Sequence, residues 1–68
     1  MKDLSQQYGD LKTKVMQGSS PQQRLGYFTA GVAGLIEQHL KEPDEVRSIA
    51  AELRTNGQVW TDAIFANA

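Results

Sequence analysis

The chain has no cysteine. Disulfides and thiolate metal sites are thereby excluded, and nothing marks an oxidising compartment. Its single histidine, His39, cannot hold a zinc ion unless carboxylates complete the set, so no metal and no cofactor is expected. Neither sign of charge prevails: seven Lys and Arg stand against eight Asp and Glu, a net charge of −1. A chain so balanced is not steered toward nucleic acid or an anionic membrane. Long apolar runs are missing too. The longest uncharged stretch, Leu25 to Ile36, is 12 residues between Arg24 and Glu37, against about 20 for a bilayer span. The opening Met-Lys-Asp-Leu has none of the apolar character of a signal peptide. A cytoplasmic protein is expected, and a chain that opens on Met1 reads as a complete short gene product. No glycine-rich phosphate loop precedes a helix, no serine or threonine forms a nucleophile pattern with His39, and the calcium-loop pattern is absent. The reading is that this is not an enzyme.

What is present points to helices and to association. Sixty-eight residues make one domain, and a core that small supplies roughly 3–5 kcal/mol. With disulfides and metals removed, a second copy of the chain is the remaining means of completing the interior. The expected class is all-α: an antiparallel helical hairpin plus an N-terminal helix, a small three-helix bundle that dimerises.

The first segment, about 2–17, carries Leu4, Tyr8, Leu11 and Val15 at spacings of 4, 3 and 4, a narrow helical stripe. Gly18 is placed to end it. Ser20, Pro21 and Gln23 then give three agreeing start signals: an N-cap, a first-turn proline and a Ser-x-x-Gln capping box. The second helix, about 21–40, gathers Leu25, Phe28, Val32, Leu35, Ile36 and Leu40 on a broad apolar arc, with Thr29, Ala33 and His39 among them. Pro43 opens the third, about 44–65, where Asp44 and Glu45 suit the positive end of the helix dipole.

Asn56-Gly57 resembles a stop, yet Gly57, Trp60 and Ile64 continue the face of Val46 and Leu53. Periodicity favours one unbroken helix, with Gly57 as an inner-face glycine. A break with Thr55-x-x-Gln58 as a second capping box is the rival. Antiparallel pairing of the second and third helices would set Gly57 opposite Tyr27 and Phe28, and Trp60 near Leu25.

Several residues invite a functional reading. Gly26, Ala30, Gly31, Ala33 and Gly34 make the second helix rich in small residues, each glycine at a cost that close helix approach usually offsets. Tyr27, Gly31 and Gly34 lie away from the main apolar arc and form a candidate second contact face. Arg47 and Arg54, two turns apart, share a flank that Phe65 extends if the last helix is unbroken, a set suited to an acidic partner or simply a solvated charged edge. His39 reads as a partly buried histidine that bonds a carbonyl or pairs with Asp44 or Glu45 across the turn, or, with Arg47, as the lining of an anionic-ligand pocket between subunits. Glu42, Asp44 and Glu45 need no function beyond the dipole.

The expected function is binding: a homodimer, or a larger even-numbered oligomer, that regulates or inhibits an unidentified protein by masking its surface through Tyr27, Gly31, Gly34, Arg47, Arg54 and Phe65. A structural or assembly component is the alternative, as is a small-ligand binder. Helical hairpins of this size recur among phage and plasmid regulators, secretion chaperones and virion accessory proteins, a likeness of size and architecture with no shared motif.

Overall fold

Local chemistry sets where each helix begins. The computed structural model describes residues 3–66, which form four helices and no strand: α1 (Leu4–Met16), α2 (Pro21–Gln38), α3 (Pro43–Thr55) and α4 (Gly57–Ile64). Asp3 opens α1, its carboxylate accepting the Gln6 N–H at 2.8 Å and so satisfying a first-turn donor. The expected start at Lys2 lies outside the described residues. Ser20 opens α2 by accepting the Gln23 N–H at 3.1 Å, with Pro21 at the first helical position. The return half of the capping box goes elsewhere than expected. Gln23 Oε1 accepts from the N–H and hydroxyl of Ser19, at 2.7 and 2.9 Å. Proline again opens α3, with Asp44 and Glu45 in its first turn.

The single helix expected over about 44–65 is corrected to two. Asn56 closes α3 and precedes α4. Backbone bonding crosses the junction through Asn56 N–H to Glu52 O at 2.9 Å and resumes with Trp60 N–H to Asn56 O at 3.1 Å. The capping box at Thr55 is not the cause, because no side chain caps α4. Instead Glu52 Oε2 accepts from Asn56 Nδ2 at 2.9 Å and from the Trp60 indole N–H at 3.3 Å. The break lets α4 lie against both α1 and α2 and bury Trp60 to 5% exposure. Burying a tryptophan removes roughly 200 Å² from water, about 5 kcal/mol at about 25 cal/mol per Å². Each helical hydrogen bond forgone costs only about 1 kcal/mol net.

The long pairing is also different from the expected one. α1 and α2, not α2 and the third helix, form the extended antiparallel hairpin. Gln7 Nε2 meets Gln38 Oε1 at 3.5 Å, Leu11 lies against Gly31, Lys14 Nζ sits 4.7 Å above the Tyr27 ring, and Gly18 meets Arg24. α4 then runs antiparallel to the first half of α2, with the Phe28 and Trp60 rings 5.2 Å apart and tilted at 48°. That sets Trp60 about one turn from its expected place near Leu25. α3 touches α2 over a shorter stretch. The core is Leu11, Val15, Leu35, Ile49, Trp60, Ala63 and Ile64, with Leu4, Tyr8, Tyr27, Phe28, Val32, Ile36 and Leu53 packed around it. The molecule measures 37 × 20 × 17 Å. Among the described residues no helix is long and apolar enough to cross a membrane.

Candidate functional site

Arg24 is the buried charged side chain among the described residues, at 6% exposure. It sits in the first turns of α2, and its guanidinium reaches the C-terminal ends of two other helices. Nε donates to Ile64 O at 2.6 Å, Nη2 to Ala66 O at 2.7 Å, and Nη1 to Gly18 O at 3.0 Å. Terminal carbonyls carry the negative end of the helix dipole, so the cation is matched by oriented backbone rather than by a carboxylate. Gly18 is a glycine because Arg24 lies over it: an added Cβ would fall 2.5 Å from Arg24 Cγ and 3.0 Å from its backbone nitrogen. Sequence reading missed Arg24. Its signal was present, since Arg24, Phe28, Gly31 and Leu35 share one face at spacings of 4, 3 and 4.

The expected site residues are scattered. Gly31 is taken up within the chain, because a Cβ there would overlap Leu11 Cδ1. Its small size admits α1, so it faces the first helix of its own chain. Tyr27 is half-buried, its ring covered on one side by Lys14. Gly34 is open, since a Cβ at that position would meet no atom within 4 Å. Arg47 is exposed and pairs with Asp44 at 2.6 Å, Arg54 is exposed, and so is Phe65. His39 closes α2, and its Nδ1 lies 3.0 Å from Glu42 Oε1 rather than meeting Asp44 or Glu45. Its Nε2 is buried with no hydrogen-bond partner among the described residues. Neither His39 nor Arg47 lines any of three surface grooves between the helices.

Those grooves follow the helix junctions. Leu4, Tyr8, Ser48, Ala51, Glu52, Thr55 and Asn56 line about 460 Å³ between α1 and α3. Gln7, Asp10, Leu11, Gly31, Leu35 and Gln38 line about 340 Å³ between α1 and α2. Lys12, Met16, Val59, Asp62 and Ala63 line about 290 Å³ between α1 and α4. In the first, burial pushes the Tyr8 hydroxyl above its usual pKa, helped by the Glu52 and then the Glu45 carboxylate. Among the described residues no three His, Cys, Asp or Glu side chains converge as metal ligands.

No family model, curated protein or solved structure matches this chain.

The surface is set apart by what it leaves uncovered. Met16, Leu25, Leu40, Val59 and Phe65 are between 44% and 67% exposed. They fall in three places. Met16 and Val59 flank the α1–α4 groove, with Lys12 and Asp62 at its rim. Leu25 and Leu40 stand at the two ends of α2. Phe65 follows Ile64, whose carbonyl Arg24 holds, so it lies at the same end of the molecule as Leu25.

Proposed function

We propose that this chain is a small binding protein, not an enzyme, that acts as a homodimer and regulates or inhibits a partner protein by masking its surface. The observation that carries the reading is the uncovered set Met16, Leu25, Leu40, Val59 and Phe65, five large apolar side chains on a chain whose core holds seven. Among them Met16 and Val59 lie together with Lys12 and Asp62 at their rim, and apolar surface rimmed by polar residues supports a contact role. The groove between α1 and α4 has the character of a helix-binding groove, with an apolar floor from Met16, Val59 and Ala63 and one charge of each sign at its rim. Phe65, Tyr27 and Gly34 add aromatic and small contact groups, and the exposed Arg47 and Arg54 offer cations to an acidic partner.

The test is an affinity capture from the native cell with the mass of the purified complex measured. A dimer of this chain bound to a single protein at fixed ratio supports the reading. Loss of that protein on Met16→Lys or Val59→Lys, with self-association intact, assigns the α1–α4 groove to the target. Rings or open-ended assemblies of the chain alone would point instead to a structural component, and a well-folded monomer that captures nothing overturns the reading.

A further inference from the structure

Every solvent-facing position of α2 from Leu25 to Ile36 is uncharged. Leu25, Gly26, Thr29, Ala30 and Ala33 are exposed there, bordered by the half-buried Val32 and Ile36. Elsewhere charge shares the exposed surface: Asp10, Lys12 and Lys14 on α1, Asp44, Arg47 and Arg54 on α3, Asp62 on α4. The bare strip of α2 is about 18 Å long at about 1.5 Å per residue. Among the described residues nothing covers it, since a Cβ added at Gly26 or Gly34 meets no atom within 4 Å.

We propose that this face of α2 packs on the same face of a second copy, the two helices antiparallel and crossing at Ala30. The inference rests on the homodimer reading above and gives it a surface and an orientation. A two-fold axis at Ala30 sets Gly26 opposite Gly34 and Ala30 opposite itself, so two backbones approach closely where neither carries a large side chain. It also sets Glu37 over the first turn of the other copy's α2, beside the N-cap Ser20 and Pro21. The N–H groups of that turn present positive charge, so the charged residue at the edge of the strip meets its complement. A parallel pairing would place Glu37 against Glu37.

Surface area favours the same occupant. A compact monomer of 7.5 kDa exposes about 4,250 Å², whereas this chain exposes 4729 Å². Removing that excess of about 480 Å² from each of two copies buries about 960 Å², the size of the smaller, weaker class of interface. The contact is self-complementary, as a two-fold interface requires.

The cysteine-free chain makes the test direct. Ala30→Cys introduces a single thiol at the crossing point, where Cα atoms closer than about 7 Å permit a disulfide. Under mild oxidation it is expected to give a covalent dimer with unchanged helical circular dichroism, while Thr13→Cys, on the exposed side of α1, does not. Ala30→Arg opposes two cations at the axis and is expected to sediment as a folded monomer at concentrations where the unaltered chain is a dimer. A dimeric Ala30→Arg, or cross-linking of Ala30→Cys no faster than of Thr13→Cys, overturns the α2 face while the homodimer stands. An unaltered chain that is monomeric throughout the micromolar range overturns both.

Discussion

Arg24 shows how a single side chain can organise a chain too short for a large core. Its three hydrogen bonds reach Gly18 at the end of α1 and Ile64 and Ala66 at the end of α4, so one guanidinium fixes both helix ends against α2. A planar fork with diverging donors suits three separate carbonyls better than the point charge of lysine. Arg24→Met keeps the buried stem and removes the cation, leaving those carbonyls without their donor. The expected loss is about 3 kcal/mol, most of what a core of this size supplies. Urea titration followed by circular dichroism measures it, with Arg24→Lys expected to recover part. A loss under about 1 kcal/mol would mean that water serves those carbonyls as well. Tyr8 gives a residue-scale prediction in pH. Its hydroxyl holds its proton above the usual value of 10.0 through burial, Glu52 and Glu45. Below that value both folded and unfolded chains keep the proton, and the contribution to stability is fully present. As pH rises past it, the unfolded chain loses the proton first, so stability falls until the folded hydroxyl also ionises. Thermal melts between pH 9 and about 11 are expected to show this alkaline loss, and Tyr8→Phe is expected to reduce it.

At the scale of helices, the glycines divide by what faces them. Gly9 in α1 has open space where a Cβ would go, whereas Gly31 in α2 has Leu11. Gly9→Ala is therefore expected to stabilise the protein by about 0.5–1 kcal/mol through helix propensity alone. Gly31→Ala gains the same propensity but pushes α1 off α2, and overpacking of this kind costs about 1–3 kcal/mol. Opposite signs in chemical denaturation are the expected result. Equal stabilisation would show that Leu11 swings aside freely. The same glycines explain what was legible in the sequence. The boundary at Ser20-Pro21 was readable because a cap and a first-turn proline act on their own few residues. All-helical character was readable from spacing. Which helix pairs with which was not, because the broad arc of α2 fits several neighbours and a glycine looks alike whether it faces Leu11 or solvent. The break at Asn56 was masked for a related reason. Trp60 and Ile64 keep the register of Val46 and Leu53, and only the Glu52 carboxylate, which gathers Asn56 and Trp60, shows why the chain turns there. The candidate contact residues were the least legible, since exposure of Phe65 or coverage of Tyr27 by Lys14 depends on pairings that the pattern alone leaves open.

At the scale of the molecule, the question is whether one copy is the folding unit. A radius of gyration of 11.9 Å exceeds the roughly 11 Å of a compact domain of this length, in keeping with the excess surface and with the uncovered Leu25 and Leu40. If the native state is two chains, unfolding releases two molecules from one, and stability depends on concentration by mass action. At about 0.7 kcal/mol per residue, unfolding the pair absorbs about 95 kcal/mol. A tenfold rise in protein concentration is then worth about 1.4 kcal/mol per dimer and is expected to raise Tm by about 5 °C. A monomer melts at the same temperature whatever its concentration. Scans of the unaltered chain at several dilutions should therefore fan out, and those of Ala30→Arg should superimpose at a lower Tm. Fanning that persists in Ala30→Arg would move the contact to another surface, such as the groove beside Met16 and Val59 or the end of the molecule that carries Leu25 and Phe65.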